Sequence, residues 1–353
     1  MQVDYLIIGQ GLCGTWLSWY LTKENRSFIV IDNNAPITPS KVSAGIINPV
    51  TGRRMVKVWM VQQVLSFAHE AYKEIGNFLG LTAISQKNII DFFPNAHQRQ
   101  VFLQRIEEGE EYLNSFPEQN QFNSFFNYEL GCGEIRHSYI AHLDTLLPAW
   151  RQQLKENRQL REQDFEFENL VVKEKSVQYE DITAEKIIFC DGLSSFDNPF
   201  FKGLPFAPNK GEALVVEIPG LPDQHIYKKG FLLAPLQGMG VFWLGSNYQW
   251  SFPNVEPTHE FYEQAERHLK AWLRIPFKIL KHKASIRPAT IERRPFVGLH
   301  PHQQNLGILN GMGTKGCSLA PFFASQFVNH LLHRTEILPD ADIKRFSRLL
   351  LKY

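Results

Sequence analysis

Three glycines near the start of the chain have the spacing of loops that bind nucleotide phosphates. The segment Gly9-Gln10-Gly11-Leu12-Cys13-Gly14 fits the pattern GxGxxG. Glycines leave room for a pyrophosphate to approach backbone N–H groups at the N-terminus of a helix. Asp32 follows at the distance where a carboxylate accepts hydrogen bonds from a ribose diol. These residues predict a dinucleotide site that suits NAD as well as FAD.

The elements that must position these residues are a strand, a tight turn, a helix and a second strand. Residues 4–8 form a short apolar run, 12–24 have the length of a helix, and 28–31 form a second apolar run. This order predicts a βαβ unit with parallel strands and with Asp32 at the end of the second strand. That context argues against a plain glycine-rich turn followed by a surface aspartate.

The rest of the chain alternates between helical and strand-like patterns. Apolar residues three and four positions apart predict helices over 59–79, 99–115, 139–155, 258–273 and 318–333. Ser318 is the expected N-cap of the last helix. Strand-like runs cover 167–172, 176–179, 186–190, 211–218 and 231–247.

Length and charge limit the classes of protein that fit this chain. Its 353 residues exceed the usual size of one domain, so we expect two structural units. Lys and Arg total 37 against 36 for Asp and Glu. This balance provides no field that would attract polyanions. No DNA partner is therefore expected, and RNA is not favoured.

The cysteines and the N-terminal segment indicate the compartment. Cys13, Cys132, Cys190 and Cys317 are scattered and have no metal-ligand spacing, which favours a reducing compartment. The first apolar run lacks a positively charged leader and is interrupted by glycines, so neither a signal peptide nor a membrane span is expected. We therefore expect a cytoplasmic protein without a bound metal.

Further motifs follow the glycine loop in a definite order. They are SKVSAGIINP at 40–49, IIFCDG at 187–192, GE at 211–212, FLLAP at 231–235, WLGSNYQW at 243–250, IRPAT at 286–290, RPFVG at 294–298 and GMGTKG at 311–316. Together they resemble the superfamily of FAD enzymes that contains D-amino-acid oxidase and glycine oxidase. The segments 45–49 and 311–321 also resemble the flavin domain of a bacterial tRNA-uridine-modifying enzyme. The resemblance spans most of the chain and favours FAD over NAD.

The resemblance implies an α/β plus α+β fold with two discontinuous domains. A Rossmann-like FAD-binding domain is expected from residues 1–75, 140–210 and 285–353. A substrate domain built on an antiparallel sheet is expected from residues 76–139 and 211–284.

The same resemblance implies which residues contact FAD. In related proteins with covalent flavin, a cysteine lies near the RPxT motif, and residues 284–292 contain none, so FAD is expected to be noncovalent. The expected contacts are Gly9, Gly11, Leu12, Cys13, Gly14, Asp32, Ser40, Ser43, Ala44, Gly45, Val171, Cys190, Gly192, Gly311, Gly313, Thr314, Lys315 and Gly316.

Arg287, Lys315 and Tyr248 are expected to serve the reaction. Arg287 matches the family's carboxylate-binding arginine, a role that suits a planar guanidinium, although a structural ion pair is its other interpretation. Lys315 and its loop amides are expected to stabilise negative charge at the flavin pyrimidine edge. The oxidases' tyrosine near the start of the FLLAP-like strand is absent here. Tyr227 and Tyr248 either replace it or are core aromatics.

The activity that the resemblance implies is oxidation of a C–N bond in a small amine or amino acid. The substrate would transfer its α-hydride to flavin N5, and water would hydrolyse the imine product. Oxygen or a quinone is the expected electron acceptor. Two alternatives stay open, a flavin-dependent tRNA-modifying oxidoreductase and a noncatalytic FAD-binding redox protein.

Overall fold

The computed structural model describes residues 1–351 as a mixed α/β structure with two eight-stranded sheets and two smaller ones. Residues 352–353, the end of the predicted segment 285–353, lie outside the described residues. The strands are β1 (Gln2–Ile8), β2 (Phe28–Ile31), β3 (Ile46–Ile47), β4 (Val50–Thr51), β5 (Val56–Lys57), β6 (Ile84–Gln86), β7 (Ile89–Phe92), β8 (Leu113–Ser115), β9 (Cys132–Ile135), β10 (Tyr139–Ala141), β11 (Leu160–Arg161), β12 (Leu170–Val172), β13 (Val177–Tyr179), β14 (Ile182–Phe189), β15 (Asn209–Glu217), β16 (Ile226–Lys229), β17 (Phe231–Pro235), β18 (Val241–Gly245), β19 (Lys278–Arg287), β20 (Phe296–His300) and β21 (Gln303–Asn310). The helices are α1 (Leu12–Lys23), α2 (Pro39–Val42), α3 (Val61–Leu79), α4 (Ala96–Glu107), α5 (Leu143–Glu156), α6 (His259–Trp272), α7 (Gly316–His333) and α8 (Ser347–Leu350).

The first large sheet is built around the βαβ unit that the sequence predicts. Its strands have the order β11-β2-β1-β14-β13-β12, and β21 pairs with β14 and with β20. The pairs β1/β2, β1/β14 and β14/β21 are parallel. All four residues of β2 are buried, as is typical of a parallel strand covered on both faces. The carboxyl ends of these parallel strands therefore meet at one edge of the sheet.

Helices α1 and α7 pack against each other beside this sheet. Trp16 of α1 and Phe323 of α7 are completely buried, and burying a side chain of this kind stabilises the fold by roughly 1.5–3 kcal/mol. The last helix, α7, begins before the predicted start at residue 318, so Ser318 is not its N-cap. It begins at Gly316, so Ser318 lies inside it, and the Ser318 hydroxyl donates to the Lys315 carbonyl at 3.1 Å.

Two other predicted helices have wrong bounds. The pattern over 99–115 continues past the end of α4, because 113–115 pair as β8 with β9. The pattern over 139–155 begins too early, because 139–141 form β10 between β3 and β6. Strand pairing with distant segments overrides local periodicity at both places. Within residues 1–351, no helix is long and apolar enough to cross a membrane.

The second large sheet has the order β19-β15-β18-β17-β16-β7-β9-β8 and draws its strands from residues 89–135 and 209–287. It is antiparallel, as predicted, except for one pair. Strands β16 and β7 run parallel. The long strands β15 and β19 pair so that Asn209 lies opposite Arg287. The first residue of one strand is thus beside the last residue of the other. The exact limits of the two predicted domains stay a prediction.

Candidate active site

A cavity of about 550 Å³ is lined by residues of both large sheets. Its lining includes the carboxyl ends of β1 and β2, the turn after β14, and the residues around α2. It also includes the start of β15, the end of β19 and the loop before α7. The cavity therefore lies where the parallel strands of the first sheet end, which is the usual place for a ligand in an open α/β sheet.

The glycine loop brings backbone rather than side chains to this cavity. Gly9 has a φ of +95°, and a Cβ there would lie 2.7 Å from the Cys190 carbonyl oxygen. Helix α1 begins after Gly11, which supplies no side-chain cap, while the Leu12 N–H donates to Ser40 Oγ at 3.1 Å. The other N–H groups of the first turn have no intrahelical partner, so this terminus suits an anion such as a pyrophosphate.

Asp32 lies at the end of β2, as expected, and it is held by contacts that the sequence did not reveal. Its Oδ1 accepts from Arg151 Nη1 at 2.6 Å and from the Asn34 N–H at 2.8 Å, and its Oδ2 accepts from the Gln10 N–H at 2.8 Å. Arg151 comes from α5 and also donates to Glu162 at 2.9 Å. A carboxylate has about four acceptor sites, so one site on Oδ2 is left for a ligand hydroxyl.

Most of the predicted FAD contacts are in the cavity wall. They are Gly9, Gly11, Leu12, Cys13, Asp32, Ser40, Ser43, Ala44, Cys190, Gly192, Gly313, Thr314, Lys315 and Gly316.

Four predicted contacts lie outside that wall. Gly14, Gly45 and Gly311 lie behind it, where a Cβ would come within 1.8, 1.9 and 2.7 Å of neighbouring atoms. These glycines shape the site without touching the cavity. Val171 is different, because it is 51% exposed on β12 and does not line the cavity. The strand predicted over 167–172 is found only over 170–172, because 167–169 form a 3-10 turn, and the pattern did not indicate the direction of the Val171 side chain.

Arg287 enters the cavity from the end of β19, and its hydrogen-bond partners are neutral. Nη1 donates to Asn209 Oδ1 at 2.6 Å, and Nη2 donates to Ser246 Oγ at 2.7 Å. No carboxylate within residues 1–351 forms an ion pair with it, so a structural salt bridge does not account for this residue. Burial lowers the pKa of Arg287, but an arginine stays charged at neutral pH. The cavity therefore contains an uncompensated guanidinium.

Gly211 gives that guanidinium its space. A Cβ at this position would lie 1.8 Å from Arg287 Nη2. This explains the glycine of the GE motif, because any side chain at position 211 would displace Arg287.

The two candidate tyrosines lie in different surroundings. The ring of Tyr248 lines the cavity with its centroid 4.8 Å from Arg287 Cζ, a cation–π contact. Tyr227 is completely buried in the aromatic core of the second sheet, and its hydroxyl donates to the Pro222 carbonyl at 2.8 Å. Tyr227 is therefore a core aromatic, and Tyr248 is the tyrosine at the cavity.

Lys315 lies in the cavity wall just before α7. Its Nζ donates to Asn48 Oδ1 at 2.5 Å, and burial lowers the pKa of Lys315 to about 8. Asn48 belongs to the GIINP segment. No pattern in the sequence predicted its hydrogen bond with Lys315, which is distant in the chain. The site thus contains a second cation whose charge depends on pH near neutrality.

The turn after β14 adds a half-buried acid. Asp191 lines the cavity, its carboxylate accepts a hydrogen bond from the Ser195 hydroxyl, and burial raises the pKa of Asp191 to about 7. Asn310 Nδ2 donates to the same hydroxyl oxygen at 2.8 Å. This network joins the carboxyl ends of β14 and β21.

The glycine loop, the uncapped helix and the acceptor on Asp32 define a dinucleotide-binding protein with a Rossmann-like first sheet. Residues 4–329 match the model of the family described as FAD dependent oxidoreductase. The chain belongs to this family, and its cofactor is FAD.

Solved structures share the fold over nearly the whole chain. Glycine oxidase from Geobacillus kaustophilus is 16% identical, with a TM-score of 0.78 and 98% of each chain covered. Iminodiacetate oxidase from Chelativorans sp. BNC1 is 17% identical, with a TM-score of 0.77 and the same coverage of 98%. The FAD-bound L-alpha-glycerophosphate oxidase from Mycoplasma pneumoniae is 14% identical, with a TM-score of 0.74, and covers 94% of this chain and 95% of its own. The likeness confirms the predicted fold class.

Residues of the cavity fit FAD on geometric grounds. A pyrophosphate fits at Gly11, where a Cβ would meet only Ser40 Oγ at 3.4 Å, so the backbone there is open to a ligand. The adenosine ribose fits at Asp32, which keeps one free acceptor site. The backbone from Gly313 to Gly316 also lines the cavity, together with Arg287 and Lys315, and would contribute N–H groups to hold the cofactor.

Proposed function

We propose that this FAD-dependent oxidoreductase oxidises a C–N bond of a small amine or amino acid that carries a carboxylate. The observation behind the proposal is Arg287, a part-buried guanidinium in the cavity wall whose side-chain partners are the neutral Asn209 and Ser246. A buried charge without a counter-ion costs free energy, and a bound carboxylate would remove that cost. Two parallel hydrogen bonds would also orient the substrate.

The remaining residues have separable tasks in this proposal. When bound, FAD supplies the group that accepts the hydride. Arg287 holds the substrate carboxylate, and the Tyr248 ring covers the guanidinium on the solvent side. Lys315 and the N-terminus of α7 line the cavity and would supply positive charge to stabilise negative charge on bound FAD. A helix end contributes about 0.3–1 kcal/mol if exposed and up to ~2 kcal/mol if partly buried.

The structural neighbours support two substrate classes to different degrees. Glycine oxidase and iminodiacetate oxidase are named for amines that carry carboxylates. The glycerophosphate oxidase is named for a phosphorylated alcohol, and an arginine can also bind a phosphate through two hydrogen bonds. A phosphorylated alcohol is therefore the second candidate. The contact between the Arg287 guanidinium and the planar Tyr248 ring favours a carboxylate, which is smaller than a phosphate and planar.

The other hypotheses keep their place as alternatives. The net charge of +1 provides no general attraction for tRNA, so a tRNA-modifying activity is not favoured. A noncatalytic FAD-binding role would not require a free guanidinium in the cavity. Oxygen and quinone are both proposed as electron acceptors.

An anaerobic titration of the visible spectrum tests the proposal. The FAD-loaded protein would be mixed with glycine, sarcosine, proline, D-amino acids and glycerol 3-phosphate in turn. We expect one of the amino acids to bleach the oxidised flavin band. Bleaching only by glycerol 3-phosphate would replace C–N oxidation by oxidation of an alcohol, and no bleaching by the whole panel would favour the tRNA-linked or noncatalytic roles.

Two arginine variants make this test specific. Arg287→Met should slow flavin reduction by the amino acid at least about 100-fold, because a charged hydrogen-bonded pair contributes up to several kcal/mol in a partly buried site. Arg293→Met is the matched control, since Arg293 is exposed and outside the cavity wall. Equal rates in wild type and Arg287→Met would contradict the proposed carboxylate site.

A further inference from the structure

Strand β15 begins with four buried residues, Asn209, Lys210, Gly211 and Glu212. Each of them contacts Arg287 or the irregular segment 246–258 that follows β18. We call residues 246–258 the cover segment, because it carries Tyr248, whose ring lies over the Arg287 guanidinium. Tyr248 is 59% exposed, so its position depends on how the rest of this segment is anchored.

Asn209 and Lys210 anchor the middle and the far part of the cover segment. Asn209 donates from Nδ2 to the Gln249 carbonyl at 3.2 Å while its Oδ1 accepts from Arg287. The backbone of Lys210 pairs with Gln249 in both directions, at 2.9 and 3.0 Å. Lys210 Nζ donates to the Glu256 carbonyl at 2.5 Å. These contacts leave the two ends of the segment to be held by another group.

Glu212 holds both ends. Its carboxylate accepts from the Thr258 N–H at 2.6 Å and from the Thr258 hydroxyl at 2.8 Å. It also accepts from Asn247 Nδ2 at 3.3 Å, while its own N–H donates to Asn247 Oδ1 at 2.7 Å. Asn247 lies between Ser246, whose hydroxyl contacts Arg287, and Tyr248. The carboxylate of Glu212 therefore holds the residue between Ser246 and Tyr248, two of the contacts of Arg287.

Most acceptor sites of Glu212 are occupied by residues of the cover segment. Oε1 faces Asn247 and the Thr258 hydroxyl, and Oε2 faces the Thr258 N–H and lies 3.1 Å from His282 Nε2. Lys210 Nζ lies 3.8 Å from Oε1. Three hydrogen bonds from the protein therefore occupy the carboxylate of Glu212, while His282 Nε2 lies close to Oε2 without donating a hydrogen bond to it. Although Glu212 lines the cavity, most of its acceptor capacity is used to hold the cover segment.

We propose that Glu212 and Asn247 are positioning residues that hold the cover segment so that Arg287 and Tyr248 meet the substrate carboxylate. The proposal rests on the carboxylate-binding function proposed above for Arg287. A fully buried carboxylate is costly unless it is hydrogen-bonded, and here the three hydrogen bonds to it come from both ends of one segment. Burying the Glu212 carboxylate is therefore favourable only when Asn247 is in place, and Asn247 in turn fixes its neighbours Ser246 and Tyr248.

Positioning and plain electrostatics predict opposite results for one substitution. Removing the negative charge of Glu212 would strengthen carboxylate binding if its main effect on Arg287 were electrostatic. If Glu212 acts by positioning, the same removal weakens binding, because a glutamine cannot accept from all the donors at once. The direction of the change in Glu212→Gln therefore separates the two explanations.

The test uses benzoate and benzamide as probes with the FAD-loaded protein. Both have the same shape, but only benzoate carries the carboxylate, and binding would be followed by the change in the visible flavin spectrum. Asn247→Ala keeps all charges, and we expect it to weaken benzoate binding about tenfold relative to benzamide, since a hydrogen bond to a charged group is lost. We expect Glu212→Gln to shift the ratio in the same direction.

Matched controls come from the same two elements. Asn254→Ala removes an exposed asparagine of the cover segment whose side chain accepts from the nearby Glu256 N–H, at 3.0 Å. Glu217→Gln changes an acid at the other end of β15. Neither should change the ratio of benzoate to benzamide affinity, and all four variants should keep the FAD affinity of the wild type. An equal loss of affinity for both probes would show a merely structural role and would overturn the proposal.

Arg287→Met in the same titration separates the two levels of inference. If it leaves benzoate binding unchanged, or if benzoate does not bind the wild type, the carboxylate site itself is wrong and the positioning role is wrong with it. If Arg287→Met weakens benzoate binding but Asn247→Ala and Glu212→Gln do not, only the positioning role is wrong. Tighter benzoate binding by Glu212→Gln would also overturn it.

Discussion

At the scale of single residues, the site is defined by charges that lack an opposite charge beside them. Arg287 has only neutral partners, and Lys315 is bonded to the amide of Asn48. Unpaired cations of this kind are costly in the absence of ligand, so they are more often found where an anion binds than where stability alone is served. Both residues are placed where the proposed reaction needs positive charge.

Lys315 provides a prediction about pH. Its pKa of about 8 in the folded chain is below the ordinary value of 10.5, so between these two values the unfolded chain binds more protons than the folded one. Stability from this group therefore rises with pH from about 8 to 10.5, and the cost of burying the charge is fully present below pH 8. Lys315→Met should raise the free energy of unfolding of the apoprotein at pH 7 by on the order of 2 kcal/mol.

The measurement is urea unfolding of wild type and variant at several pH values. The difference between them should shrink as the pH rises from 8 towards 10, because the wild type then loses the buried charge. Lys344→Met, at a side chain that is 53% exposed, is the control and should show no such trend. A difference for Lys315→Met that is constant across this range would contradict the lowered pKa.

At the scale of elements, the glycines of the loop differ in why they are glycines: one is required by the packing of the loop and another leaves space for a ligand. Gly14 is needed by the fold, since a Cβ there would lie 1.8 Å from the Gly9 carbonyl oxygen. Gly11 has a φ of −70°, which any residue adopts, and a Cβ there would meet only Ser40 Oγ at 3.4 Å. The strand-turn-helix unit therefore requires Gly14 for packing, whereas Gly11 is not required by the fold and is proposed to serve the ligand.

Alanine substitutions should show this separation. Gly11→Ala should change the free energy of unfolding of the apoprotein by less than about 1 kcal/mol, because its Cβ points into the cavity, and it should weaken FAD binding at least about tenfold by blocking the pyrophosphate. Gly14→Ala should destabilise the apoprotein by about 3 kcal/mol or more, because the backbone of the turn must move. Urea unfolding and quenching of FAD fluorescence measure the two quantities. Normal FAD binding by Gly11→Ala would contradict the proposed pyrophosphate site.

At the scale of the whole molecule, the cavity connects the two large sheets. Its wall combines the glycine loop of the first sheet with Gly211, Trp243 and Arg287 of the second. The indole N–H of Trp243 donates to the Val42 carbonyl, in the segment 40–49, at 2.9 Å. A cofactor in this cavity would contact both sheets, so its binding should stabilise them together.

Thermal and urea unfolding with added FAD test this coupling. At a free FAD concentration 100 times the dissociation constant, the free energy of unfolding should rise by about 2.7 kcal/mol in a single transition. The Asp32→Asn variant should need more FAD for the same increase, because it weakens the ribose contact. Two transitions, with only one shifted by FAD, would show that the sheets unfold independently and would support the predicted division into two domains.

The sequence by itself determined the nucleotide unit and the class of cofactor. Its pattern covers the strand, the turn, α1, β2 and Asp32, and local physics decides all of these, because glycine spacing and apolar periodicity act within a few residues. The motifs in family order also led to FAD and to Arg287. Helix ends near 113–115 and 139–141 were missed, since distant strands pair with those residues.

Only the tertiary structure decided which residues complete the site. Arg151 reaches Asp32, Asn48 reaches Lys315, and Glu212 reaches Asn247 and Thr258, each across a long stretch of chain. No local pattern marks such a residue, because its role depends on which distant group the fold brings within 3 Å or so. The choice of Tyr248 over Tyr227 has the same origin, since both are tyrosines near strands and only packing buries one of them.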